Sequence, residues 1–115
     1  MNTQVLPVND KSIALAAELL QKGELVALPT ETVYGIAADA RNGKAVKKIF
    51  EAKGRPQDNP LIVHIYGMEM LKGIVSEVPD RAYKLAKAFW PGPLTMVMPR
   101  GGEVSDVTCA GLDTV

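Results

Sequence analysis

The 115 residues contain a single cysteine, Cys109, and a single histidine, His64. One cysteine excludes an internal disulfide framework and a cysteine-rich metal site, and it fits a reducing, cytoplasmic compartment. An excess of charge of either sign is also lacking: 13 basic and 13 acidic residues cancel. The overall balance therefore points to no nucleic acid, membrane surface or polyanionic partner, and any anion site must be local. No apolar run approaches the roughly 18 residues of a membrane helix, and Met1-Asn2-Thr3-Gln4 is not the cationic start of an export signal. Neither G-x-G-x-x-G, nor G-x-x-x-x-G-K-[ST], nor a nucleophile elbow occurs, which argues against the standard nucleotide loops and hydrolase sites.

What is present suits a folded domain. Hydrophobic residues make up 47% and charged residues 23%, so a core can form, and the length suits one domain or part of one. Gln4 to Val8 reads as a short strand. Asp10 or Ser12 would cap a helix with Ile13, Ala16, Ala17 and Leu20 on one face, stopped by Gly23. Leu25 to Leu28 is an apolar run suited to a strand buried on both faces, followed by the loop Pro29-Thr30-Glu31-Thr32-Val33-Tyr34-Gly35. A second helix spans about Lys44 to Lys53 and ends at Gly54. The turn from Gly54 to Pro60 feeds a strand at Leu61 to Tyr66, helical stretches follow at Met68 to Val75 and Pro79 to Phe89, and Leu94 to Met98 is another strand. Alternating strands and helices imply an α/β fold. The chain stops on the β-prone pair Thr114-Val115, which predicts a domain incomplete at its C-terminus.

Two polar loops beside strands are the places for chemistry. In the first, Thr30, Glu31, Thr32 and Tyr34 could hold the ammonium, hydroxyl and carboxylate of a small ligand, or the threonines could simply cap a turn. In the second, Lys53 and Arg55 flank Gly54 on a loop stiffened by Pro56 and Pro60. They could converge on a phosphate or carboxylate, or Lys53 could just complement the helix dipole while Arg55 is solvated. His64 shares a strand face with Ile62 and Tyr66, either half-buried in the core or turned toward a site. Phe89 and Trp90 read as core aromatics.

Leu28-Pro29-Thr30-Glu31-Thr32-Val33-Tyr34-Gly35, then Lys53-Gly54-Arg55-Pro56 with Asn59-Pro60-Leu61 and His64, then Trp90-Pro91-Gly92-Pro93-Leu94-Thr95, resemble the YrdC/Sua5 family in order and spacing. The resemblance covers nearly the whole chain. It implies a YrdC-like twisted mixed sheet with flanking helices, residues 1–115 being the N-terminal part of that domain. It also implies a nucleotidyltransferase, an L-threonylcarbamoyladenylate synthase in which L-threonine, bicarbonate and ATP give threonylcarbamoyl-AMP and pyrophosphate. A tRNA-modifying transferase complex would then pass the group to adenosine of tRNA, making threonylcarbamoyladenosine. ATP would be a substrate carrying Mg2+, with no tightly bound cofactor and no protein-held metal.

Position by position, the resemblance implies L-threonine contacts from Thr32 and His64, with Thr30 and Tyr34 in the same loop, and ATP contacts from Arg55 and Asn59. Lys53 and Arg55 correspond to the family's catalytic cationic pair, and Thr114, in Gly111-Leu112-Asp113-Thr114, would meet the nucleotide. The family pattern runs on into an arginine-bearing strand and a serine-alanine-asparagine motif that these residues do not include, so this chain alone is expected to be inactive. Lys and Arg donors would stabilise charge developing on the α-phosphate and the departing pyrophosphate, while a dry pocket would hold amine and bicarbonate together. One competing reading is the related domain of hydrogenase-maturation carbamoyltransferases, whose zinc-finger-like and acylphosphatase segments have no counterpart here. The other is an RNA-binding module, or a divergent paralogue without synthase chemistry, using a basic face at Lys44, Lys47 and Lys48; zero net charge and few aromatics weigh against it.

Overall fold

The computed structural model of the chain describes residues 2–115. The strand expected from Gln4 to Val8 does not form, and residues 4–8 are exposed. Helix α1, Asp10–Gln21, is capped by neither Asp10 nor Ser12 but by Asn9, whose backbone is extended (φ −155°, ψ 173°) and so stands outside the helix. A reciprocal cap forms: the Asn9 side chain accepts from Ser12 N at 2.9 Å, and Ser12 Oγ accepts from Asn9 N at 3.0 Å. Lys22 and then Gly23, in the left-handed region at φ 79°, end the helix as the sequence predicts. The expected apolar stripe exists, but α1 buries no residue and Ile13 is 57% exposed.

Strands β1, Val26–Pro29, and β2, Tyr34–Ala37, form an antiparallel hairpin in the register Val26↔Ala37, Leu28↔Gly35 and Pro29↔Tyr34. The first apolar run is thus a strand, but a half-buried one whose residues alternate in exposure, and Tyr34 and Gly35 belong to β2 rather than to the loop. Helix α2, Gly43–Lys53, starts at Asn42, whose side chain accepts from Ala45 N at 3.2 Å. It ends at Gly54 in the left-handed region (φ 60°), a conformation glycine adopts without a Cβ penalty. Ala45, Val46, Ile49 and Phe50 are its buried face. Lys48 Nζ donates to the Gly23 carbonyl at 2.8 Å and pairs with Glu24 at 3.2 Å, tying α2 to the α1–β1 connection. That contact engages one of the three lysines of the basic face.

The main core lies further along the chain. Leu71, Ile74, Val75, Ala82, Met98, Val104 and Cys109 form one buried cluster, with Val63, Ile65, Trp90, Met96 and Val115 packed against it. Helix α3, Asp80–Phe89, contributes Ala82 and Ala86, one turn apart on its inner face. Of the predicted aromatic pair, Trp90 does pack on the core and its Nε1 donates to the Leu94 carbonyl at 2.8 Å, whereas Phe89 is 58% exposed. The stretch before α3 is a short 3-10 turn, Met68–Leu71, rather than a longer helix, because Gly73 (φ 81°) breaks the helical path.

Residues 61–66 and 94–98 alternate inward and outward as strands do, yet no strand ladder forms along either among the described residues. A ladder needs a partner backbone at about 4.8 Å along its length, whereas the first segment has a single such bond, Leu61 N to the Thr108 carbonyl, and the second is paired only at its end. Met98 and Val115 exchange backbone hydrogen bonds at 3.0 Å each, and Arg100 N donates to the Asp113 carbonyl at 2.9 Å. The β-prone Thr114-Val115 therefore does enter an antiparallel pairing. The α/β character holds, with β1–β2 as the only sheet among the described residues.

Candidate functional site

The end of α2 and the turn after it border a shallow cavity of about 230 Å³ that is open to solvent. Lys53, Arg55, Asp58 and Asn59 provide its polar side, and Ile49, Phe50, Pro56, Pro60 and Leu61 its apolar wall. The local sequence accounts for this arrangement. Gly54 turns the chain out of the helix, Arg55 N caps back onto the Phe50 carbonyl at 3.0 Å, and two prolines restrict the turn so that Lys53 and Arg55 stay on one rim. Among the described residues neither cation is in an ion pair, so both are available to a ligand anion. An apolar wall beside two cations and an amide suits a ligand with a flat ring and a phosphate chain. The volume falls below the roughly 300–1,000 Å³ of complete small-molecule pockets, as one side of a larger site would.

The other predicted residues lie elsewhere. In the β1–β2 turn the Thr30 hydroxyl donates to the Val33 carbonyl and accepts from Val33 N at 3.2 Å and Thr32 N at 3.4 Å, so it shapes the turn. This leaves the exposed side chains of Thr32 and Tyr34 at the tip and flank of the hairpin. His64 faces outward on the same side as Ile62 and Tyr66. Its Nδ1 donates to the Ile62 carbonyl at 3.1 Å, which makes Nε2 the acceptor in the neutral ring. Thr114 is exposed and bridges to Pro99, beside a more open hollow of about 380 Å³ lined by Ser76, Arg100 and Asp113. Of the eight predicted residues, Lys53, Arg55 and Asn59 line the cavity; Thr30, Thr32, Tyr34, His64 and Thr114 do not.

Sequence reading did not single out Asp58, the carboxylate on the cavity, although it stands inside the same turn. It also missed Arg100, which donates to the Val104 carbonyl and pairs with Asp106, both at 2.7 Å. The Asp106 bond holds the Arg100 guanidinium above its ordinary pKa. Burial pushes the Cys109 thiol up as well, against the opposing pull of Arg100.

The Sua5/YciO/YrdC family, described as "Telomere recombination", matches residues 18–115. A threonylcarbamoyl-AMP synthase of Pyrococcus abyssi is 54% identical over 108 residues, which cover 94% of this chain and 32% of that protein. One of Bacillus subtilis is 53% identical over 114 residues, 98% of this chain and 33% of that protein. The crystal structure of P. abyssi Sua5 complexed with L-threonine superposes with a TM-score of 0.89 at 53% identity, covering 96% of this chain and 32% of that one. The chain thus spans about a third of the length of the curated relatives it matches. With a family match over most of its residues, relatives above 50% identity and the same backbone path, the chain belongs to the Sua5/YciO/YrdC family.

Proposed function

We propose that this chain supplies the nucleotide-facing turn and the threonine-facing hairpin of a threonylcarbamoyl-AMP synthase. The reaction condenses L-threonine with bicarbonate and transfers AMP from ATP to the product, releasing pyrophosphate and water. The observation that supports it is the convergence of Lys53, Arg55 and Asn59 on one cavity, in a chain more than half identical to such synthases.

In this reading the carbamate oxygen of the carboxylated threonine attacks the α-phosphorus and pyrophosphate leaves. Negative charge grows on the phosphoryl oxygens, and the Arg55 fork and Lys53 ammonium, carried on one side by the turn, stabilise it. The apolar wall of Phe50, Pro56 and Leu61 takes the flat part of the nucleotide. Magnesium arrives on the triphosphate as part of the substrate. Asp58 is the carboxylate on the cavity, and a single carboxylate with phosphates and waters is an ordinary magnesium environment. Thr32, Tyr34 and the Nε2 acceptor of His64 offer the polar groups for threonine. The product then goes to a tRNA-modifying transferase complex in the cytoplasm.

The test uses this chain and a chimera in which it replaces the matching third of the B. subtilis synthase. Threonine- and bicarbonate-dependent pyrophosphate release is expected from the chimera and not from the 115 residues alone. Within the chimera, Arg55→Ala should lower kcat/KM for ATP by at least about a hundredfold, the scale of a lost transition-state donor, and Lys47→Ala by less than about twofold. Equal losses would remove the cationic turn from the mechanism. Pyrophosphate release that ignores threonine would remove the synthase reading, and a steep loss of RNA binding with salt in its place would favour the basic-face alternative.

A further inference from the structure

The cavity rests on a buried polar knot well away in sequence. Thr108 is 2% exposed and is the one buried polar or charged residue among those described. Its hydroxyl donates to the Ala40 carbonyl at 2.9 Å and, with that proton committed, accepts from the Ser105 hydroxyl at 2.8 Å. Ser105 N also reaches the Ala40 carbonyl, at 3.3 Å. On its other side, the Thr108 carbonyl accepts from Leu61 N at 2.9 Å.

Ala40 stands two residues before Asn42, the cap of α2, while Leu61 is the last residue of the cavity wall. Residue 108 therefore holds both ends of the segment that supplies every residue lining the cavity. The start of α2 is also packed against this knot: a Cβ on Gly43 would stand 3.4 Å from Ser105 Cβ. The distance between α2 and the Asn59–Leu61 wall is fixed by these bonds as well as by the turn.

We infer that Thr108 is a positioning residue for the nucleotide cavity, acting through Ala40 and Leu61 and touching no substrate. This rests on the nucleotide reading of the cavity. Its hydroxyl sets where α2 begins, and hence where Lys53 stands relative to Asn59. Thr108→Val keeps the shape and the backbone bond to Leu61 but removes the hydroxyl donor to Ala40, leaving that carbonyl only the longer bond from Ser105 N at 3.3 Å, and removes the acceptor for the Ser105 hydroxyl. The hairpin residues are not held by the knot and should not respond.

Two measurements test this. In the chimera, Thr108→Val should raise KM for ATP about tenfold and leave KM for threonine within about twofold, and Thr108→Ser, which restores the hydroxyl, should return both. A proportional rise in both constants, or a lower melting temperature with both constants intact, overturns the positioning role. Hydrogen exchange of the chain and of the chimera reads the same inference without activity: Thr108→Val should speed exchange across residues 54–61 and leave residues 80–89 unchanged. Unchanged exchange at 54–61 overturns it whatever the kinetics; if Thr108→Val proves too unstable to handle, Ser105→Ala, which removes one member of the knot, must give the same pattern in weaker form. Absence of threonine-dependent turnover in the unsubstituted chimera would instead count against the synthase reading, while the exchange experiment still decides this one.

Discussion

Helices α1 and α3 are both amphipathic and of similar length, 12 and 10 residues, yet α3 buries Ala82 and Ala86 while α1 buries nothing. The difference lies in what each can rest on. Helix α3 joins the cluster of Leu71, Ile74, Val75, Met98, Val104 and Cys109, a surface assembled from segments far apart in the chain. Helix α1 meets little beyond the strand that follows it, so Ile13 and Leu15 remain in solvent. Periodicity specifies which face of a helix can be buried, and a complementary surface decides whether it is. The same holds between the outward faces of residues 61–66 and 94–98, where Ile62, Tyr66 and Val97 are exposed, and their inward faces, which pack.

The largest expected contrast comes from the core against the front of the chain. Leu71→Ala should lower the unfolding free energy by about 2–5 kcal/mol, through lost burial and the cavity left behind. Ile13→Ala should change it by no more than about 0.5 kcal/mol. Urea midpoints of the two variants measure the contrast, and comparable losses would mean that α1 has a partner surface after all. A smaller effect is expected at the cap: Asn9→Ala should cost about 1 kcal/mol. That cost should appear as faster hydrogen exchange within residues 10–21, with exchange of the 71–109 core unaffected, because α1 is only loosely joined to it.

The smallest effect is pH-dependent and confined to the core. Burial raises the Cys109 pKa above its unfolded value, so the thiol's contribution is fully present below that value, about 8.5, and is lost as pH rises through the folded one. The stability difference between the native chain and Cys109→Ala should be flat from pH 6 to about 8 and should narrow above about 8.5. A difference that stays constant to pH 10 would show that the thiol is not desolvated.

The cationic turn is legible in the amino-acid sequence because its parts are local. Lys53, Arg55 and Asn59 lie within seven positions, and a helix end, a left-handed glycine and two prolines restrict their arrangement whatever the rest of the chain does. Helix ends are nearly as legible, since Gly23 and Gly54 carry their own conformational preference. The cap falls at Asn9 rather than at the neighbouring Asp10 because both types cap well, and only the backbone path separates the extended residue from the first helical one. The predicted strands at 61–66 and 94–98 keep their alternation without becoming a sheet, because a strand is completed by another backbone.

Side-chain types and short spacings were enough to specify where α1, α2 and α3 stop, how residues 61–66 and 94–98 alternate and which turn gathers positive charge, since these depend on dihedral preference and on distances of a few residues. Tertiary structure alone decided that α1 stays bare while α3 is buried, and that Thr108 joins Ala40 across 68 positions to Leu61. Those outcomes depend on which distant segments meet, and closure of long loops is set by the free energy of the whole packed chain rather than by any local preference.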